Sequence, residues 1–366
     1  MTDRERLLCA YRGLPADRGL CWAPNMDYWY RVNSKAGTLP ESFRGMECNQ
    51  IIRHVGGILW RRTGSLREVT DKSVRAVTSE VNGKKVIRTD TPAGSMETAF
   101  SPSESRFSSM IRTEYNIRDP ETLKVMRYVA EATHYEAMPD RVAEEKARIG
   151  EDGVVLTMAF SVPLIQFLKI DAGIMNGYYL LNDYPNEVNR LLDIYLRNYL
   201  SAYELMARTD LDMISTGDNM DSSIMTPGLF REYAVPFYRE AAQRIHAHGK
   251  LFAGHWCGRT EGLLALAKDC GLDIVEAVVT RPMAEITLPE ALDRLEGKVT
   301  LQGGIPAVLV CLEGGSADDF KRYMEETVLP LKGRKGFVLG MSDNVPPNAD
   351  FARVEAVADM IGSVAG

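Results

Sequence analysis

The chain has 366 residues, 45% of them hydrophobic, and a net charge of -7. That is enough to bury a large core in one or two domains, and the interspersed charges and short apolar runs exclude a nucleic-acid tract and a membrane span. Six cysteines are too sparse for a disulfide scaffold, and the charged start Met1–Arg6 lacks the apolar core of a secretion signal, so a cytoplasmic location is expected.

After an N-terminal helical extension, Leu20-Cys21-Trp22-Ala23 reads as a first strand, and residues 57–62 as a second. Between about 73 and 100 the residues alternate as in antiparallel strands around Asn82-Gly83, the strongest short hairpin signal. Residues 119–150 read as mostly helical, starting at Asp119-Pro120. Val154 to Ala159 is another strand and Pro185 to Arg208 a long helix.

From there strands and helices alternate. Leu211 to Ser215 is a strand. Thr226-Pro227 opens a helix with the stripe Phe230, Tyr233, Ala234, Phe237, Ala241 and Ile245. Then come strand 251–254, a helix near 260–269, strand 273–278, helix 288–295, strand 298–302, a helix over 316–329, strand 336–339 and a helix over about 350–363. Such alternation implies parallel pairing, and four units with room upstream for four more predict a (β/α)8 TIM barrel. An open sheet would bring a Gly-rich phosphate loop, and none is present. The expected organisation is one α/β domain over 1–366, with a β-hairpin insertion at about 73–118 near the barrel mouth.

In such barrels chemistry gathers at the carboxyl ends of the strands. Those ends carry Asn25 and Asp27, Asp218 and Asn219, His255 and Cys257, Glu276, and Ser342-Asp343-Asn344. His255 and Cys257 sit two residues apart in Gly254-His255-Trp256-Cys257-Gly258, so at a strand end they point the same way. Imidazole nitrogen and thiolate sulfur are preferred zinc ligands, and the third ligand is expected from Glu276 or, next in order, Asp343. Each acid also has a plain structural reading as a cap, ion pair or turn residue. Asp27-Tyr28-Trp29-Tyr30 is an aromatic cluster suited to stacking a flat substrate or packing the barrel floor.

These segments resemble the uroporphyrinogen decarboxylase superfamily, in its cobamide-dependent methyltransferase branch. The carriers are Gly217-Asp218, Thr226-Pro227-Gly228-Leu229-Phe230, the His-x-Cys stretch, Gly271 to Glu276, Gly303-Gly304-Ile305-Pro306 and Leu339 to Pro347. The resemblance implies a TIM barrel that binds Zn2+ through His-x-Cys and a distant Cys. The distant Cys falls opposite Ser342, a departure that argues against a standard thiol-methylating enzyme. The Arg-rich segment of the decarboxylases is replaced by Asn25 to Arg31, which has one Arg and three aromatics. The implied activity is zinc-dependent methyl transfer between a small methylated, methoxylated for preference, substrate and the cobalt of a corrinoid protein, with a metal-free decarboxylase as the alternative. On that reading His255, Cys257 and Glu276 hold the metal, Asp218 and Asp343 are catalytic, and Asn25, Asp27, Tyr30, Asn219 and Ser342 line the substrate site. The sequence has no Asp-x-His-x-x-Gly segment, so the cobamide is expected on a partner protein; a homodimer is left open.

Overall fold

Among the residues described by the computed structural model, 1–17, 19–103 and 110–362, seven short strands form one parallel sheet. They are Leu59–Arg62, Gly153–Met158, Met213–Thr216, Leu251–His255, Ile274–Val278, Thr300–Ile305 and Phe337–Met341, and their order in the sheet is their order in the chain. The two edges meet through residues 21–23. Trp22 bridges Leu339 in parallel, Ala23 N donates to Leu339 O at 2.9 Å, and Ile58 N donates to Trp22 O at 2.8 Å. The expected first strand is thus present as the shortest closing element. Pro24, which has no N–H, follows it and stops the ladder. The curled sheet is that of a TIM-barrel-like fold, as expected.

This barrel belongs to the first of two compact units, formed by Met1–Gly64, Asp140–Ala159 and Asp210–Gly366. Alternate strand residues fill its interior: Cys21, Ala23, Ile58, Trp60, Val154, Leu156, Met213, Leu251, Ala253, Ile274 and Val338. The N-terminal extension is the helix Asp3–Tyr11, started by a capping box between Thr2 and Glu5. It adds Leu7 and Tyr11 to the same core, and Tyr11 OH donates to Gln302 Oε1 at 2.6 Å. Gly153 is required where it stands, since a Cβ there would lie 2.0 Å from Leu59 O in the neighbouring strand. With this lower layer packed, the next inward positions on each strand are those that chemistry can use.

The second unit comprises Ser65–Pro139 and Phe160–Thr209. Its strands Arg75–Val81, Lys84–Thr91, Gly94–Pro102 and Met110–Glu114 form an antiparallel sheet. Asn82 and Gly83 both have positive φ and join Val81 to Lys84, so the predicted hairpin is present. The expected insertion at 73–118 includes 104–109, and the last predicted helix includes 363; these lie outside the described residues. Over 119–150 the structure departs from the expected helix. Helices Pro120–Glu131 and Pro139–Ile149 flank a strand, Thr133–Ala137, paired antiparallel with Leu66–Thr70. Thr133, Tyr135 and Ala137 alternate with His134 and Glu136, a two-residue period that overrides the surrounding helical pattern. The predicted helix at 260–269 is a 3-10 segment over Leu264–Asp269. Among the described residues, no helix is long and apolar enough to cross a membrane.

Candidate metal centre

His255 ends its strand on the inward face shared with Leu251 and Ala253. Parallel register sets it beside Glu276. Nδ1 of His255 lies 2.6 Å from Glu276 Oε1, and both side chains are buried. Burial opposes a charged imidazole, but the Glu276 carboxylate outweighs it and raises the His255 pKa well above its usual value. Burial likewise opposes the Glu276 charge, and His255 outweighs it, so that carboxylate is held low. An Nδ1–H donated to Glu276 fixes the ring's orientation and leaves Nε2 as the outward nitrogen. Nε2 lies 3.9 Å from Asp343 Oδ1.

Cys257 follows two residues later, half-buried, and its thiol donates to Asn219 Oδ1 at 3.1 Å. The 255–259 loop is zipped to the 217–222 loop. Met220 N donates to His255 O, Gly258 N to Met220 O, and Ser222 N to Arg259 O. Gly258 permits this, because a Cβ there would lie 2.5 Å from Met220 O. Asp218 is 1% exposed and accepts hydrogen bonds from Thr216 Oγ1 and, at 2.5 Å, from Tyr238 OH. Trp256 Nε1 in turn donates to Tyr238 OH at 3.1 Å. The residue between the two metal-ligating candidates is therefore anchored through Tyr238 to the carboxylate that precedes Asn219.

His255, Cys257 and Asp343 are, among the described residues, the one group of three such donors close enough for a single ion, their ligand atoms lying within 4.8 Å of one another. Zinc draws nitrogen, sulfur and carboxylate oxygen to about 2.0–2.3 Å. The three donor types are ones that zinc takes, and their closeness is compatible with one shared ion, so the residues fit the metal. Glu276, expected as the third ligand, lies against Nδ1 of His255, and Asp343, next in the expected order, is the acid that joins His255 and Cys257 in this donor group.

A family profile and one solved structure agree with this architecture. The family profile described as Uroporphyrinogen decarboxylase (URO-D) matches residues 113–364. The chain belongs to the uroporphyrinogen decarboxylase family. Among solved structures it is similar to a methyltransferase from Methanosarcina mazei, at 14% identity and TM-score 0.60, with 99% of each chain covered. A D-psicose 3-epimerase from Clostridium cellulolyticum H10 matches at 12% identity and TM-score 0.36, covering 62% of this chain and 82% of that one. No curated protein matches the chain in sequence.

In this uroporphyrinogen decarboxylase family member the remaining expected site residues divide. Asp27 opens the helix Asp27–Ala36, pairs with Arg61, and accepts from the Cys48 thiol at 3.5 Å. Burial first, then the Asp27 charge, pushes that thiol up to about 12. Tyr30 OH donates to Met46 O at 3.1 Å. Trp29 is buried and stacks on Phe351, centroids 4.5 Å apart, so it packs rather than presents a face. Ser342 Oγ donates to Val278 O at 3.1 Å. Asn25 is 7% exposed, and its Nδ2 is a buried donor with no partner. Two residues were not singled out in the sequence. Tyr238 lies one helical turn past Ala234 in the predicted stripe, and Arg62 continues the inward set Ile58 and Trp60. Arg62 Nη2 lies 3.9 Å from Glu276 Oε1.

Proposed function

We propose that this protein is a methyltransferase of its family, moving a methyl group from a small methylated compound, an ether in the first instance, to the cobalt of a corrinoid carried by a partner protein. The observation that carries the reading is the nitrogen, sulfur and carboxylate donor set of His255, Cys257 and Asp343 within 4.8 Å. The family match, and the fold shared with a protein described as a methyltransferase, support it. In this reading those three residues hold the zinc and Glu276 orients His255 through Nδ1. Zinc there supplies a Lewis acid facing the atom that bears the methyl group.

The chain's own residues do the rest. The packed strands hold His255 and Cys257 at fixed separation, so alignment costs little on binding. Asn219 accepts from the Cys257 thiol when it is protonated. Asp218, bonded to Thr216 and Tyr238, is assigned to positioning the loop that carries Asn219. The C–O bond of the substrate breaks with its electron pair going to oxygen, which takes a proton from solvent. The partner's corrinoid, as Co(I), would accept the methyl carbon and supply the two electrons of the new bond.

Zinc stoichiometry of the purified protein is the first test, with Cys257→Ser and His255→Ala alongside. Stoichiometric zinc unchanged in both variants would end the metal reading. Methylation of cob(I)alamin by a panel of methoxylated compounds is the second. Turnover of substrate that survives chelation, with CO2 released and no methylcobalamin formed, would favour the metal-free decarboxylase instead.

A further inference from the structure

The alternation that places Cys21 and Ala23 inside the barrel continues to Asn25, and the one that places Ile58 and Trp60 there continues to Arg62. These two strand ends are neighbours, joined by the bond from Ile58 N to Trp22 O. Both carry donors without an acceptor. Asn25 Nδ2 is buried and unpartnered, and so are Nε and Nη2 of Arg62. Arg61 points the other way and has Asp27. The carboxylate of Glu276 stands 3.9 Å from Arg62 Nη2, beyond hydrogen-bond reach, and it is already committed to His255 at 2.6 Å. The Arg62 side chain is 30% exposed, although Nε and Nη2 themselves are buried.

A guanidinium cannot shed its charge and has no acceptor of its own. Its two-pronged donor edge matches a carboxylate. The Trp60 ring lies under it, 4.7 Å from Arg62 Cζ to the ring centroid, and holds the plane in place. Glu276 stands between Arg62, at 3.9 Å, and the His255 ring, at 2.6 Å, whose other nitrogen is Nε2.

We propose that Arg62 and Asn25 form an anion-recognition half of the site, so that the substrate carries a carboxylate close to the atom bearing its methyl group. The inference names the substrate class for the methyl-transfer reading and rests on that reading for the role of the neighbouring metal. Arg62 takes the two carboxylate oxygens and Asn25 donates to one of them. The methyl-bearing atom then lies toward Nε2 of His255.

Two matched pairs test it: 4-methoxybenzoate against 4-methoxybenzamide, and methoxyacetate against methoxyacetamide. Binding of each is measured by calorimetry on the zinc-loaded protein and again after chelation. In at least one pair the carboxylate is expected to bind about tenfold or more tightly than the amide, the scale of one charge-assisted contact. Arg62→Gln is expected to bring that ratio to about one, and Arg62→Lys to restore part of it, since charge returns without the fork. Asn25→Ala gives a second, smaller loss and serves if Arg62→Gln lowers the melting temperature. Equal or absent binding of acid and amide in both pairs overturns the proposal, as does a ratio that survives Arg62→Gln. A carboxylate preference without stoichiometric zinc would remove the metal reading and leave this one standing. Stoichiometric zinc without the preference would do the reverse.

Discussion

Glu276→Gln separates the two roles that carboxylate might have at the metal centre. The bond to His255 is short, 2.6 Å, and both groups are buried, so the contact is charge-assisted and unscreened. Glutamine keeps the shape and one acceptor oxygen but loses the charge. If Glu276 orients His255 from behind, zinc affinity should fall by roughly 10–100-fold, the usual cost of changing the partner of a ligating histidine. That is about 1.4–2.8 kcal/mol. Competition with a chromophoric chelator at fixed pH gives the number directly. Asp343→Ala, which removes a donor of the cluster itself, should lose more in the same assay. A Glu276→Gln protein that binds no zinc at all, like His255→Ala, would mean that Glu276 is a ligand and the assignment is reversed. Unchanged affinity would mean that the bond does not hold the ring in place.

Three further outcomes follow from the geometry. Tyr238→Phe removes one donor to Asp218 and the acceptor of buried Trp256 Nε1; a loss of about 1–3 kcal/mol is expected in urea unfolding, and none would show that the network is slack. Asp171, buried in the second unit against Tyr195 OH at 2.8 Å, has its pKa raised by burial from the usual 3.8 to about 7. The folded chain therefore keeps a proton that the unfolded chain loses. Its stabilising contribution is complete below about pH 4 and is lost as pH rises toward 7, a swing on the order of 4 kcal/mol. The difference in unfolding free energy between wild type and Asp171→Asn, measured at pH 4 and pH 8, should shift in that direction; an unchanged difference would refute the burial argument. Finally, Asp343 has φ of 87°, a conformation glycine adopts freely. Metal-free Asp343→Gly should be more stable than metal-free Asp343→Ala by about 1 kcal/mol although both lose the carboxylate, and equal stability would show that no strain is stored there.

The barrel was legible because its strands are short apolar runs bounded by turns, and because parallel strands with helical crossovers leave few topologies open. His255 and Cys257 were legible for a related reason, since a two-residue spacing at a strand end needs no tertiary knowledge to bring side chains to one side. The placement of the two acids around the ring was not. Glu276 is the neighbour of His255 in the ladder, which sequence order suggests, but the ladder puts it against Nδ1. Asp343 reaches Nε2 from the Phe337–Met341 strand's end, which is two strands further round. Which face of an imidazole a carboxylate meets is set by side-chain torsions, and no spacing encodes them. The partners of Asp27 and Tyr30, Arg61 and Met46 O, lie 34 and 16 residues away, so no local spacing reveals them. Arg62 was overlooked for the opposite reason: a lone arginine after a tryptophan carries no motif, and its interest arises only once its neighbours prove to be committed elsewhere.

The backbone around the site makes a related point about where strain is tolerated. Asn219 and Asp343 both have positive φ, 44° and 87°, and both present side chains to the cluster. A non-glycine residue in such a conformation costs on the order of 1–3 kcal/mol and persists only when its surroundings over-determine it. Those surroundings are visible. Ser342 N is tied to Ile305 O, Asp343 N to Met341 O and Val345 N to Asn25 O, so the segment leaving the last strand is pinned to neighbours on either side. Asn219 is held between Asp218, locked by Tyr238, and Met220, locked to His255 O. The fold therefore uses rigidity from several strand ends to hold one asparagine and one aspartate in postures that glycine would take without strain. In the proposed metal site a carboxylate at 343 would meet His255 from the Nε2 side, with Glu276 on the Nδ1 side of the ring.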